Sequence, residues 1–321
     1  MPRQDRIVVA SDRAYPYSRG LLAQSLMACG IAPDDAYRVA RVVDALLRRS
    51  AQASVTTDEL RARVEEVLAS EEGDALQRYR RWSALQHMEW PLVVLIGGAP
   101  GTGKSTIATQ VAHRLGITRI VSTDAVRQVM RAVISRELVP YIHTSSFDAA
   151  STVPPDALGS SGGDPAVVGF VQQAETVRVG VRGIVDRAVA ERFPLVLEGV
   201  HLVPGSDLVP LDAPATVVEV MLVVDDPLEH QSHFHARAAH TGDARPVQRY
   251  LQAFDEIRKI QLHLLEASAR NGVPVVEARH MDTAVRQILD MVLERVAAAA
   301  TLPACPSPTA TIAASAPTSS P

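Results

Sequence analysis

Between residues 92 and 276 the chain alternates short apolar runs with longer segments whose apolar positions recur every three or four residues. A short, fully apolar run is typical of a strand buried on both faces, and the helical period is typical of helices that cover such a sheet. The runs that predict strands are 92–96, 119–122, 195–197, 217–224 and 274–276, of which the second has polar residues at both ends and the fourth contains Glu219. Because helical segments separate these runs, the sequence predicts an α/β fold with a five-stranded parallel sheet flanked by helices.

Residues 1–90 have a different pattern, with one short strand-like run at 7–10 followed by four helical segments. The landmarks that predict them are a turn at 13–17, a helix cap at Ser18, a helix start at Pro33, a capping box at 56–59 and a last helix after Gly73. Residues 299–321 are rich in Ala, Thr, Ser and Pro and have no apolar period, which is typical of disorder. We therefore predict a small, mainly helical domain at 1–90, an α/β domain at 91–298 and a disordered tail at 299–321.

The first strand of the α/β domain leads into residues 98–105, which fit the phosphate-binding pattern G-x-x-x-x-G-K-[ST]. In such a P-loop the backbone N–H groups and a helix N-terminus surround phosphate oxygens, the lysine reaches the β- and γ-phosphates, and the last hydroxyl binds Mg²⁺. A glycine-rich turn with a stray lysine is the alternative, but the strand before the loop and the amphipathic helix after it both favour the P-loop. The predicted nucleotide-binding residues are Gly98, Ala99, Pro100, Gly101, Thr102, Gly103, Lys104, Ser105 and Thr106. ATP and Mg²⁺ are thus the expected cofactors, with Lys104 catalytic and Ser105 a metal ligand.

Two carboxylates follow predicted strands directly, and ligands of open parallel sheets bind at that end of the strands. Asp124 follows the strand at 119–122, where it could act on a substrate hydroxyl or on a magnesium-bound water. Arg127, one helical turn later, could bind an anionic group of the substrate. The alternative is an Asp124 that only caps a helix and a solvated Arg127. Glu198 follows the strand at 195–197 and is predicted to be the second metal ligand, where it could hold a water of the Mg²⁺ shell or orient the nucleophile.

Further polar residues lie in segments that could meet the same ligands. His143, Ser145 and Ser146 suit a small polar substrate, although an ordinary loop would have the same composition. Three arginines between 237 and 250 resemble those of a lid that closes over transferred phosphoryl oxygens, the alternative being a surface basic patch. We predict Arg237 and Arg245 to be catalytic and Arg249 to bind substrate. The histidines between 230 and 240 are not predicted to bind metal, because their spacing matches no metal motif and arginines surround them.

Composition excludes several other classes of protein. A net charge of −4 over 321 residues argues against general nucleic-acid binding. The two cysteines are far apart in the sequence, so neither a disulfide framework nor a cysteine metal site is expected, and the cytoplasm is the expected compartment. No apolar run is long enough to cross a bilayer, and we expect no membrane partner.

Several of these motifs together resemble the 2-phosphoglycerate kinase family, in which an ATP-cone-like domain precedes a P-loop kinase domain. The resemblance rests on the residues at 16–20, 98–105, 122–124 with 127–131, 143 with 145–146, 198–204 and 237–250. Residues 16–22 in particular are similar to those of an ATP-cone domain. The resemblance implies ATP-dependent phosphorylation of the 3-hydroxyl of 2-phosphoglycerate to give 2,3-bisphosphoglycerate.

The residues alone support the type of reaction better than the substrate. They would suit another phosphorylated alcohol, such as an inositol phosphate, a sugar nucleotide or a nucleic-acid 5′-hydroxyl. A non-catalytic protein that senses nucleotides is a further alternative, although Asp124 beside Lys104 argues against it. In the kinase hypotheses the partner is a small phosphorylated substrate.

Overall fold

The computed structural model describes residues 8–10, 15–50, 54–70, 73–85, 88, 90–152, 163–210, 213–241 and 247–300. The predicted tail is therefore outside the described residues, apart from 299 and 300, which end a helix. Most of the polar segment at 151–165 lies outside them as well. No helix within the described ranges combines the length and apolarity that a membrane span requires.

The N-terminal part has the predicted helices and a small sheet that the sequence only partly indicated. Its elements are β1 (Val8–Ala10), β2 (Tyr15–Pro16), α1 (Arg19–Ala28), α2 (Pro33–Arg49), β3 (Ser54–Thr56), α3 (Thr57–Ala69) and α4 (Ala75–Leu85). Ser18 caps α1, and Thr56 with Glu59 forms the capping box of α3, both as predicted. The prediction of a turn at 13–17 was wrong at residues 15 and 16, because Tyr15–Pro16 pairs with β1. Strands of two or three residues are too short to show an alternating pattern, so β2 and β3 were missed.

The predicted parallel sheet is confirmed. Its strands are β4 (Leu92–Gly98), β5 (Ile120–Ser122), β6 (Leu195–Gly199), β7 (Thr216–Val223) and β8 (Val275–Glu277), in the order β5-β6-β4-β7-β8 and all parallel. Both faces of β4 are buried, which explains its continuous apolar run. Because the strands are parallel, the segments that follow β4, β5 and β6 all leave from the same edge of the sheet.

Helices cover both faces of this sheet. They are α5 (Lys104–Leu115), α6 (Thr123–Val133), α7 (Pro165–Ala190), α8 (Pro227–Thr241), α9 (Val247–Gln252), α10 (Phe254–Asn271) and α11 (Met281–Ala300), with 3₁₀ turns at Pro140–His143 and Ser146–Thr152. Helices α5 and α11 pack on Val94 and Ile96 of β4, and α7 packs on Val93 and Leu95 of the other face. Helices α9 and α10 are separated by Ala253, whose φ of −100° and ψ of 21° are not helical.

Helix α7 and the 3₁₀ turn at Ser146–Thr152 approach so closely that Gly169 has no room for a side chain. A methyl group there would overlap the backbone of Ala149 and Ala150. We expect Gly169→Ala to lower the free energy of unfolding by about 1–3 kcal/mol, since overpacking against backbone cannot relax through a side-chain rotation. Gly183→Ala in the same helix faces open space and should instead stabilise by about 0.5–1 kcal/mol. Urea denaturation of both variants measures the difference, and equal effects would contradict this packing.

Candidate active site

The P-loop lies between β4 and α5, where the sequence predicted it. Gly103 has φ 76° and Gly101 has φ 89°, left-handed conformations that glycine adopts without strain. Thr102 is fully buried and donates a hydrogen bond to the Ala99 carbonyl. The Lys104 ammonium donates to the same carbonyl at 2.6 Å, so it lies across the loop. Ser105 and Thr106 are exposed in the first turn of α5, whose N-terminus opens towards the loop.

The two predicted metal ligands lie side by side. The Ser105 hydroxyl donates to Glu198 Oε1 at 3.0 Å, although the residues are 93 positions apart in the sequence. Glu198 is buried at the end of β6, directly across from Ile96 of β4. A hydroxyl and a carboxylate beside a P-loop fit Mg²⁺, which takes oxygen ligands and usually needs only one or two carboxylates besides phosphate and water. The described residues contain no cluster of three or more His, Cys, Asp or Glu that could hold a metal ion.

Asp124 lies in the first turn of α6, at the same edge of the sheet. Ser122, not Asp124, caps this helix, so the capping alternative for Asp124 was wrong. Desolvation favours a neutral carboxyl, but the positive charges of Arg127 and Lys104, joined by His201 at the acid pH where its ring is protonated, lower the pKa of Asp124 below its ordinary value. The carboxylate is therefore ionised at neutral pH, and 54% of the side chain remains accessible to a ligand.

Arg127 is close to Asp124 and to the loop that carries His143, as the predicted substrate site requires. Its guanidinium pairs with Asp124 at 3.3 Å and donates to the carbonyls of Ile142 and Thr144 at 3.0 and 2.7 Å. Only 13% of the side chain is exposed, far less than a solvated arginine would show. Arg127 thus holds the loop backbone, and most of its N–H groups are already engaged.

The predicted acceptor residues form one short loop beside Arg127. The His143 ring lies 3.0 Å from the Ile134 carbonyl through Nε2, which must donate this hydrogen bond. Ser145 is half-buried and Ser146 is buried at the start of the second 3₁₀ turn. We call residues 140–146 the acceptor loop.

Among the three predicted lid arginines, Arg249 is the one whose side chain the structure describes. It pairs with Asp148 at 2.6 Å, and its guanidinium carbon lies 5.7 Å from the centre of the Phe147 ring. Helix α9 therefore contacts the segment directly after the acceptor loop. Arg237 belongs to α8, but its side chain, like the whole of Arg245, lies outside the described residues.

Two histidines of α8 brace the P-loop, a role that the sequence did not indicate. His230 Nε2 donates to the Pro100 carbonyl at 2.7 Å, and His233 Nδ1 donates to the Gly101 carbonyl at 2.9 Å. Burial lowers the pKa of His230 to about 4, so the ring is neutral, and its Nδ1 has no hydrogen-bond partner among the described residues. Any side chain at Gly101 would overlap Phe234 and His230. The spacing of three between the histidines was the available signal, because it places both on one helix face.

Three known proteins that are similar in sequence to this chain carry the same name. A 2-phosphoglycerate kinase of Methanopyrus kandleri is 37% identical over 281 residues, which is 88% of this chain and 85% of that protein. The 2-phosphoglycerate kinase of Methanothermobacter thermautotrophicus is 36% identical over 277 residues, and that of Pyrococcus horikoshii is 35% identical over 293 residues. These alignments cover 85% and 90% of this chain, and 89% and 94% of the two relatives. No protein-family model matches the sequence. Relatives this similar over nearly their whole length establish that the chain belongs to the 2-phosphoglycerate kinase family.

Proposed function

We propose that the protein transfers the γ-phosphoryl group of ATP to the 3-hydroxyl of 2-phosphoglycerate and releases ADP and 2,3-bisphosphoglycerate. The observation that carries the proposal is the meeting of Lys104, the Ser105–Glu198 pair and Asp124 at one edge of the sheet, beside the acceptor loop. The relatives named for this activity support the choice of acceptor.

The nucleotide side of the reaction belongs to the P-loop. Its N–H groups and the N-terminus of α5 would bind the phosphates, and Lys104 would stabilise the charge of the transferred group. When bound by Ser105 and Glu198, Mg²⁺ supplies neutralisation of phosphate charge. His230 and His233 keep the outer turn of the loop in place through the carbonyls of Pro100 and Gly101.

The acceptor side of the reaction belongs to Asp124 and the acceptor loop. The 3-hydroxyl oxygen forms the new bond to phosphorus as the bond from the γ-phosphorus to the oxygen bridging it to the β-phosphorus breaks, and Asp124 orients the hydroxyl and takes its proton. Arg127, His143, Ser145, Ser146 and Arg249 are proposed to bind the acceptor's phosphate and carboxylate or to hold the groups that do. Arg237 and Arg245 are proposed to close over the transferred group.

The domain boundaries at 90 and 298, the ATP-cone-like nature of residues 1–90 and the disordered tail stay predictions, as does the cytoplasmic location. The separate apolar core of the N-terminal part, which includes Leu26, Val39 and Val64, supports the first boundary.

A panel of acceptors tests the proposed function. Purified protein is given ATP and Mg²⁺ with 2-phosphoglycerate, 3-phosphoglycerate, an inositol phosphate, a sugar nucleotide or a 5′-hydroxyl oligonucleotide, and ADP release and the ³¹P spectrum of the product are followed. We expect turnover with 2-phosphoglycerate and a new phosphomonoester signal on its C3 oxygen. Faster turnover with another acceptor would overturn the choice of 2-phosphoglycerate as the substrate. Binding of ATP without turnover of any acceptor would favour the nucleotide-sensing alternative.

Arg127→Ala is expected to raise the acceptor KM by about tenfold to a hundredfold, the range for a charged hydrogen bond of about 1.5–3 kcal/mol. The ATP KM and the basal hydrolysis of ATP should be nearly unchanged, because Arg127 contacts the acceptor loop and not the P-loop. Arg178→Ala is the matched control, since Arg178 also pairs with a carboxylate three residues away and donates to a loop carbonyl, that of Ser206. If the Arg127 variant bound ATP weakly and kept a normal acceptor KM, Arg127 would act on the nucleotide and the assignment to the acceptor would be wrong.

A further inference from the structure

A buried chain of polar side chains joins the start of α6 to the acceptor loop. It consists of Thr123, His201 and Gln173, which are 0%, 2% and 0% exposed. Thr123 Oγ1 lies 2.8 Å from His201 Nδ1, and His201 Nε2 lies 3.1 Å from Gln173 Oε1. The three residues come from α6, the segment after β6, and α7, so only the folded sheet brings them together.

The hydrogen bonds of Gln173 fix the direction of the other hydrogen bonds among these three side chains. The Gln173 amide nitrogen donates to the carbonyls of Tyr141 and Thr144, so its oxygen must face His201 as an acceptor. His201 Nε2 therefore carries the proton and donates, and Nδ1 accepts from the Thr123 hydroxyl. Burial lowers the pKa of His201 to about 4, which keeps the ring in the neutral form that this arrangement needs. Each of the three side chains thus has hydrogen-bond partners for its polar atoms, and a fully satisfied buried network of this kind favours a single geometry.

Both ends of the chain belong to the proposed acceptor site. Thr123 directly precedes Asp124, and the carbonyls of Tyr141 and Thr144 flank His143 in the acceptor loop. Arg127 reaches the same loop from α6 through Ile142 and Thr144. Thr123 also packs tightly against the end of β6. A methyl group at Gly199, where φ is 152°, would overlap the Thr123 hydroxyl.

We infer that Thr123, His201 and Gln173 act as one positioning unit, here called the acceptor relay, which holds the acceptor loop at a fixed distance from Asp124. The relay touches no reacting atom. It sets the affinity for the acceptor, and this part of the inference rests on the proposed function. The hold on the loop itself does not depend on which acceptor the enzyme uses.

The hydrogen bonds at either end of the relay can be removed by substitutions that change the side-chain volume little. Thr123→Val removes the hydroxyl and keeps the shape, and Thr123→Ser keeps the hydroxyl. Gln173→Met removes both amide groups at the other end. Gln261→Met is the matched control, because Gln261 is also a buried glutamine that bonds backbone, at Val224, but it lies on α10 and outside the relay.

Two measurements are made on the full-length protein. Amide hydrogen exchange follows residues 140–148 without any ligand, and steady-state kinetics give the KM of each substrate. We expect Thr123→Val and Gln173→Met to speed exchange of this segment about tenfold and to raise the 2-phosphoglycerate KM about tenfold, with the ATP KM within twofold of wild type. Thr123→Ser keeps the hydroxyl, so its exchange rate at 140–148 and its 2-phosphoglycerate KM should stay close to those of wild type. Gln261→Met should lower the melting temperature and change neither.

The outcomes separate the relay from the proposed function. Unchanged exchange at 140–148 in both relay variants would overturn the inference, as would equal increases in the KM of ATP and acceptor or the same changes in Gln261→Met. If wild-type protein does not phosphorylate 2-phosphoglycerate, the proposed function fails, and the exchange data still decide whether the relay holds the loop.

Discussion

Lys104→Ala is expected to lower kcat for phosphoryl transfer by about 10³-fold, the scale for losing one preorganised charge at the reacting group. Its ammonium group lies over the P-loop at 2.6 Å from the Ala99 carbonyl, where it can reach phosphate oxygens of a bound nucleotide. The charge acts most strongly in the transition state, so kcat should fall much more than ATP affinity. Steady-state kinetics with saturating acceptor and varied ATP measure both.

The chain provides a matched control for this variant. It contains only two lysines, and Lys259, the other one, pairs with Asp164 on the surface at 2.9 Å. Lys259→Ala should leave kcat within twofold of wild type. Circular dichroism and the melting temperature should show that Lys104→Ala keeps the fold, since this half-buried side chain is not part of the apolar core. Wild-type turnover in folded Lys104→Ala would refute the role given to the P-loop.

Asp124→Asn is expected to lower kcat by about 10²-fold or more while ATP binding is largely kept. The neighbouring positive charges lower the pKa of Asp124 and keep it ionised, so at neutral pH it is an orienting acceptor for the hydroxyl proton and only a weak base. This suits a loose transition state, in which the proton leaves late. Asparagine keeps the size but lacks the charge, so the loss should be in kcat and kcat/KM together.

Asp164→Asn controls for a change from Asp to Asn at a helix start. Asp164 caps α7 through the N–H of Ala166, and asparagine caps helices equally well. We expect normal kinetics for it and at most a small drop in melting temperature. If Asp124→Asn instead kept its kcat and lost ATP affinity, Asp124 would belong to the nucleotide side of the site.

Much of the fold could be predicted because its signals are local. The apolar runs of β4 and β6, the capping box at Thr56 and Glu59, and Gly116 at the end of α5 each occupy a few neighbouring residues. The P-loop is local in the same sense, since its strand, glycines, lysine and helix are contiguous. A parallel sheet then places the residues after each strand at one edge, so the proximity of Asp124 and Glu198 to Lys104 could be expected from topology.

The contacts that complete the site could not be predicted in this way. His230 bonds Pro100 across 130 residues and Arg249 pairs with Asp148 across 101, and no periodicity links such positions. Arg127 illustrates the limit, because its sequence position suggested a ligand for substrate anions, and the fold gives it two loop carbonyls.

The sheet, the P-loop and the edge that carries the candidate site follow from short, regular patterns in the sequence, because backbone hydrogen bonding and burial act on neighbouring residues. Which polar groups hold which loops depends instead on the packing of distant segments, as in the hydrogen bonds that join Thr123, His201 and Gln173. Buried polar groups must find partners, and the partner available is set by how α6, α7 and the end of β6 pack together.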